Sequence, residues 1–408
     1  MTDTQTVRFA TTADPLSRFV VLYALLYAAF GVSSPFLPAF IETHGIGLEE
    51  IGLIFAAGTA LRLVSASLAA RVADRLALRR ETLGACAVVA AVAALLYLPA
   101  SGLTAIVMVS LVHAIALAPL TPLADALALL AATPRLRGQP PAFEYGWVRG
   151  TGSAAFIAGS VAVGGTIASM GIASIVWLQA LLLMALPFAA RLVPDDRNIP
   201  ISQAAEVVTR ENLRTLLGNV VFRRIVLVAA LVLGSHAMHD TFSVIRWSAA
   251  GLSPMTTSLL WSISVAAEVV VFLLIGPWLV RTLSPAGSII VAALAGAVRW
   301  SVAAVTVDVT ALLLIQPLHG LTFALLHLAC MRLLAQNVPP SLAATAQAIY
   351  GVVGVGVASA LLTSVSGWLY GQMGPIAFAA MSLLCLGALP LAIKLRQSAE
   401  NALPDKAQ

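Results

Sequence analysis

Apolar runs separated by short polar breaks follow one another along the whole chain, at roughly 16–40, 48–72, 82–100, 103–130, 147–168, 171–193, 222–247, 254–281, 286–306, 309–335, 341–370 and 375–395. A helix that crosses about 30 Å of hydrocarbon needs about 20 apolar residues. The pattern therefore predicts an all-α membrane protein of twelve transmembrane helices. The fourth and tenth runs are long and interrupted by polar residues, which predicts tilt or a bend. The longest polar stretch, 194–221, follows the sixth run. It divides the chain into an N-terminal six-helix half (1–193), a linker (194–221) and a C-terminal six-helix half with a short tail (222–408).

Composition agrees. Of 408 residues, 60% are hydrophobic and 10% charged, against about 25% charged in a soluble domain, and mean hydropathy is +0.95. Two soluble domains would fit the length but not this balance. Cys86, Cys330 and Cys385 lie inside apolar runs and read as small buried hydrophobes rather than a disulfide framework. Residues 1–15 are polar and lack the apolar core of a cleavable signal, so the first run is expected to stay in the mature protein.

The net charge of +5 matters through its placement. Alternate breaks carry the arginines: Arg71, Arg75, Arg79 and Arg80; then Arg135 and Arg137; then Arg191, Arg197, Arg210, Arg214, Arg223 and Arg224; then Arg281. The intervening breaks are acidic, with Glu42, Glu49 and Glu50 in 41–50 and Asp308 further on. Basic loops stay in the cytoplasm. Both termini are then cytoplasmic, which requires an even number of crossings.

Ionisable groups inside the runs are few: Arg62, Asp125, Arg149, Asp240, Arg246, Glu268 and Arg299, with His113, His236, His239, His319 and His327. Each costs at least about 2.5–3.5 kcal/mol at the bilayer centre and marks a pathway or a site by default. At about 1.5 Å per residue, Glu268, Arg299 and His319 fall near the midplane. Asp125 and Arg149 fall nearer the cytoplasmic side on adjacent runs. Two ion-pair clusters are expected, Asp125 with Arg149 and Glu268 with Arg299 and His319.

Helical spacing places Gln316, His319, Phe323 and His327 on one face, and does the same for His236, His239, Asp240, Ser243 and Trp247, for Arg149, Ser153, Phe156 and Ser160, and for Tyr23, Tyr27 and Ser34. Turned inward, these stripes line a polar cavity with aromatic walls.

Several features carry a structural reading instead. Asp74-Arg75 reads as a gating loop pair. Arg246, near the end of its run, reads as a snorkelling side chain, and His113, alone on its helix, as a packing residue. The glycines from Gly159 to Gly171 read as close helix packing. His236-x-x-His239-Asp240 has metal-ligand spacing on one helical face, but no cysteine or further carboxylate supports it. No nucleophile elbow or phosphate loop supports an enzyme, and no cofactor is expected beyond a proton gradient.

These residues resemble the lactose permease branch of the major facilitator superfamily, and within it the phenylpropionic-acid transporter-like group. Pro35-Phe36-Leu37-Pro38, Gly45 and Glu50-Ile51-Gly52-Leu53 are similar to the first hairpin. Ala118-Pro119-Leu120-Thr121-Pro122-Leu123-Ala124-Asp125 and Tyr145-Gly146-Trp147-Val148-Arg149 stand where the branch has its sugar-contacting acid and arginine. Ala267-Glu268, Val298-Arg299-Trp300 and Gln316-Pro317-Leu318-His319-Gly320 match its glutamate, arginine and histidine. Leu318 to His327 and Gly234-Ser235-His236-Ala237 look like the phenylpropionate group.

The chain departs from the branch in four places. Thr322 stands where the branch carries its proton-coupling glutamate. Phe156 replaces the stacking tryptophan and Val271 an amide, and Arg62 adds a cation. The resemblance implies alternating access at a midplane site.

With fewer sugar-type donors and an extra cation, it points to proton-coupled uptake of a small organic anion such as an aromatic carboxylate. Arg62, Asp125, Arg149, Phe156, His236, Arg299, His319 and Phe323 would bind the substrate, and Asp240, Glu268 and His319 would couple the proton. The expected protein is a monomer in a bacterial inner membrane. The alternatives are a sugar or nucleoside symporter, a drug–proton antiporter and a sensor that does not transport.

Overall fold

The computed structural model describes residues 14–133, 142–194 and 210–401, and every regular element among them is helical. Among the described residues ten helices are long and apolar enough to cross a membrane, the last of them a 58-residue run, Pro340–Gln397. That run is interrupted near Gly374, where φ is +60°. A further helix, Arg79–Leu96, starts on Arg79, Arg80 and Glu81. Arg135, Arg137, Arg197 and most of the expected linker lie outside the described residues. Within the linker, Arg210–Gly218 is a short helix rather than loop.

Both expected bends are present. The fourth run breaks at Pro119, between Gly102–Leu117 and Leu120–Ala132. The tenth breaks at Pro317, after Val309–Ile315. Proline removes a backbone donor and clashes with the preceding turn, so each break falls where the ring sits. Three wider, π-helical segments occur at Val271–Ile275, at Gly320–Leu325, three residues after Pro317, and at Tyr350–Val357. Such segments concentrate at functional sites.

One apolar core is built from Phe19 to Val193 alone. A second draws mainly on Phe222 to Leu395 and also takes in Phe36, Ile51 and Ile54. Glycines set the closest approaches. Pro15–Ser33 lies against Tyr145–Met170, where a Cβ on Gly159 would sit 2.5 Å from the Ala28 carbonyl oxygen. Gly159 and Gly164 thus have the expected packing role, whereas a Cβ on Gly171 would meet nothing within 4 Å.

Early and late helices meet closely at Gly356 and Leu63, where a Cβ on the glycine would lie 2.5 Å from the leucine side chain, and at the end of the bundle that carries the 43–47 turn. A Cβ on Gly52 would meet the Gly367 Cα at 2.6 Å, and one on Gly164 the Pro254 carbonyl at 2.9 Å. Gln372 donates to Glu49 Oε1 at 2.9 Å at the same end.

Two structural readings need correction. Asp74 pairs with Arg79, Nε to Oδ1 at 2.7 Å, while Arg75 is exposed. Five positions bring Arg79 back over Asp74 across the left-handed turn at Ala77 (φ 53°), whereas neighbours in a helix point apart. Arg246 does not snorkel. It is 8% exposed, donates to the Ala304 and Thr306 carbonyls at 3.4 and 3.3 Å and lies over the Phe378 ring. It thereby satisfies carbonyls left free at the end of Ser284–Val305.

Candidate functional site

Arg299, fully buried on Ser284–Val305, organises one side of the site. Its Nη1 lies 3.1 Å from His319 Nδ1, and its Nη2 lies 3.0 Å from Gln316 Oε1 and 3.4 Å from His239 Nε2. The guanidinium carbon stands 4.5 Å from the Trp300 ring centroid. A guanidinium has donors only, so both histidine nitrogens that face it must accept. The opposite nitrogens then carry the protons.

His319 Nε2 meets Glu268 Oε2 at 3.4 Å, and His239 Nδ1 donates to Asp240 Oδ1 at 3.1 Å. One arginine thus holds two neutral imidazoles in defined tautomers, each directed at a carboxylate. The expected grouping of Glu268, Arg299 and His319 is present in the structure, with His239, Asp240 and Gln316 joined to it.

Thr322 is fully buried and donates to the His319 carbonyl at 3.2 Å. It braces the helix beside the site and offers nothing to the carboxylates. Phe323 stacks on His319 at 5.6 Å. His236, 5% exposed, lies 5.0 Å from the His319 ring, and its Nε2 has no hydrogen-bond partner.

Asp240 is less enclosed than its place inside a run implies, with its side chain 57% exposed. The reason is a set of adjoining cavities. One of about 250 Å³ is lined by His239, Asp240, His319 and Phe323. It shares His236, Asp240 and Trp261 with a second of about 260 Å³, which in turn shares Ser34 and Arg62 with a third of about 670 Å³. Tyr27, Phe30 and Phe156 wall the largest cavity. Arg62 therefore faces the junction between the aromatic chamber and the carboxylate–histidine cluster, and among the described residues its guanidinium has no hydrogen bond or ion pair. His113, 1% exposed and edge-on to Tyr97 at 5.6 Å, lines the middle cavity and so does more than pack.

Asp125 and Arg149 do not form an ion pair. Asp125 Oδ1 accepts from the hydroxyls of Tyr23 and Tyr145, the latter at 2.8 Å. Arg149 donates to the Tyr27 hydroxyl and lies over that ring at 5.1 Å. Three tyrosines from two helices take up both charges locally. The sequence carried the signal, since Tyr23 and Tyr27 share a helical stripe and Tyr145 opens the fifth run. Trp261, 5.0 Å from His239, was not anticipated, although it stands two turns before Glu268 on the same face. Among the described residues no group of three or more histidine, cysteine or carboxylate side chains could hold a metal ion.

A long-helix membrane bundle with a polar cavity chain between its early and late helices is the architecture of a major facilitator transporter. The profile of the MFS_1 like family matches residues 16–380, and the chain belongs to that family. It is 30% identical over 384 residues to the probable 3-phenylpropionic acid transporter of Escherichia coli (strain K12), covering 91% of this chain and 96% of that one.

The fold is similar to that of the nucleoside transporter NupG (TM-score 0.79, 16% identity, 94% of this chain and 99% of that one). It is also similar to that of a bacterial homolog of the human lysosomal transporter Spinster in an inward-facing, unoccupied conformation (TM-score 0.70, 14% identity, 98% and 100%). The protein is accordingly a multi-pass membrane transporter for a small molecule, and its homologues are transporters rather than enzymes.

Proposed function

We propose that the protein takes up a small organic anion of the aromatic carboxylate class together with protons, by alternating access. Arg62 carries the reading. Arg299 has both terminal nitrogens engaged by Gln316, His319 and His239, with its Nε buried, and Arg149 is engaged by Tyr27. Arg62 alone of the three expected carboxylate ligands faces open volume without a partner, beside Tyr27, Phe30 and Phe156. A guanidinium fork matches a carboxylate, and about 670 Å³ is within the range of small-ligand pockets. The name of the relative from Escherichia coli supports the same substrate class.

In this reading Glu268 and Asp240 hold the coupling protons. His319 and His239 cannot accept one without turning a second N–H toward Arg299, so a proton arriving at the cluster belongs on a carboxylate. Proton and substrate reach the cluster through the same cavities, and each favours the closed, loaded form, so both cross together. His236, Phe323 and Asp125 complete the substrate's surroundings.

Counting Arg79–Leu96 and dividing the 58-residue run at Gly374 gives twelve crossings in two six-helix halves, 1–193 and 222–408, joined by the linker 194–221. With the arginine-rich loops in the cytoplasm, the seam at Gly52 and Gly367 closes the outer end of the bundle and the cavities face inward. The site needs no partner chain, which supports a monomer in a bacterial inner membrane. Asp74 with Arg79 steadies the gating loop.

The fold shared with NupG favours a second reading, uptake of a neutral nucleoside or sugar. Proteoliposome uptake under an imposed inward proton gradient separates the two. Stimulated uptake of 3-phenylpropionate that is lost in Arg62→Gln supports the first. Gradient-driven uptake of a neutral solute indifferent to Arg62→Gln supports the second, and no response to the gradient refutes proton symport.

A further inference from the structure

A separate groove of about 620 Å³ opens on the outside of the bundle, away from the cavity chain. Arg281, Ser284, Arg332 and Gln336 line it together with Pro277 and Leu328, and no carboxylate does. Arg281 donates Nε to the Pro277 carbonyl at 3.1 Å, which leaves its terminal nitrogens directed elsewhere. Around the groove the surface is apolar and exposed: Leu274 at 71%, Trp278 at 57% and Leu283 at 40%. Ser284 sits in the floor with φ +62°, an uncommon conformation for a residue with a side chain. We propose that this groove binds the headgroup of an anionic phospholipid, with Arg281 and Arg332 on its phosphate and the acyl chains along Leu274 and Trp278.

The first half pairs its basic residues at this level with acids. A groove of about 480 Å³ between Arg79–Leu96 and Ser174–Leu192 is lined by Arg80 and Arg191, and Glu81 also lines it and stands 3.8 Å from Arg80. The adjoining loop holds its buried Arg79 on Asp74 at 2.7 Å. Between the eighth and ninth runs, Gly276-Pro277-Trp278-Leu279-Val280-Arg281 takes the place that Ala70-Arg71-Val72-Ala73-Asp74-Arg75 has between the second and third, and it holds no acid. Among the described residues the first half pairs Arg79 with Asp74 and Arg80 with Glu81, and no acid lines the groove of Arg281 and Arg332. A lipid phosphate at the membrane surface would take that place, and basic pockets between helices at this depth suit anionic headgroups.

Native mass spectrometry of the full chain, titrated with phosphatidylglycerol or phosphatidylcholine, tests the assignment. Each arginine near the surface is worth about a fivefold change in affinity. Arg281→Gln with Arg332→Gln should weaken the tightest phosphatidylglycerol by about 25-fold and leave phosphatidylcholine unchanged, while Arg191→Gln changes neither. Equal binding of phosphatidylglycerol by wild type and double variant overturns the site. Competition by glycerol phosphate or inorganic phosphate as strong as by the lipid overturns the lipid source.

A headgroup-photoreactive phosphatidylglycerol cross-linked to the wild-type chain gives a result that does not depend on the variants folding. Adducts in the peptides bearing Trp278, Arg281 or Arg332 support the proposal, and adducts elsewhere refute it.

Discussion

Replacing Arg62 with glutamine tests the substrate assignment most directly. Glutamine keeps hydrogen-bonding capacity and some of the length but removes the charge. Among the described residues no group pairs with the guanidinium, so its removal orphans no protein partner there and the fold should stand. With an aromatic carboxylate bound, the same change strips the anion of its counter-charge. Truncating one partner of a hydrogen-bonded charge pair costs about 2–5 kcal/mol. The cavity admits water, which favours the lower part of that range, so about 2–3.5 kcal/mol, or about 30- to 300-fold in affinity at 1.4 kcal/mol per decade.

The assay is equilibrium binding of 3-phenylpropionate and of its neutral amide to wild type and Arg62→Gln. The acid should weaken by the stated factor and the amide by no more than about tenfold, the upper end of an ordinary hydrogen bond's net contribution. Equal losses for acid and amide would show that Arg62 shapes the pocket without reading charge. A loss below threefold for the acid would place the carboxylate elsewhere.

Glu268→Gln should abolish uptake driven by a proton gradient while leaving exchange of substrate across the membrane intact; concentrative uptake by this variant refutes the coupling role. Arg299→Lys cannot reach His239, His319 and Gln316 together and should reduce transport at least about 100-fold despite keeping the charge; near-normal transport would mean the fork geometry is irrelevant. Gly367→Val places a side chain where Gly52 Cα now lies and should weaken the seam by about 1–3 kcal/mol. This is read as increased labelling from outside of a cysteine placed at Thr59, and unchanged labelling refutes the gate. Tyr23→Phe with Tyr145→Phe removes both donors from Asp125 and should lower the melting temperature, with no change counting against the local pairing described.

The Arg299 cluster was legible because depth and helical spacing act on the same residues. Glu268, Arg299 and His319 each land near the midplane, and three helices that cross there have few other polar atoms to meet. The partners of Asp125 and Arg149 were not legible from charge alone. Opposite charges on adjacent helices suggest a pair, but tyrosine hydroxyls on a helix already in contact reach each group first. Arg246 shows a second limit, since its carbonyl partners at 304 and 306 come near only once the chain has returned beside it. The breaks at Pro119 and Pro317 could be foreseen because a proline ring acts locally. The three π-helical segments could not, since a 3.6-residue period is all that sequence spacing can test.

Those segments confine the ways in which the site can be re-aimed. A π turn holds one residue more than the α turn it replaces, and giving that residue up would rotate everything beyond it by about 100°. Glu268 lies just ahead of the widened turn at Val271–Ile275, and His319 just ahead of the one at Gly320–Leu325. Rewinding either turn would swing the helix that follows while the imidazole and its carboxylate kept their positions relative to each other. The two helices thus hold spare winding immediately downstream of the cluster, so a change of register can be passed along the bundle without first dismantling the contact between Glu268 and His319.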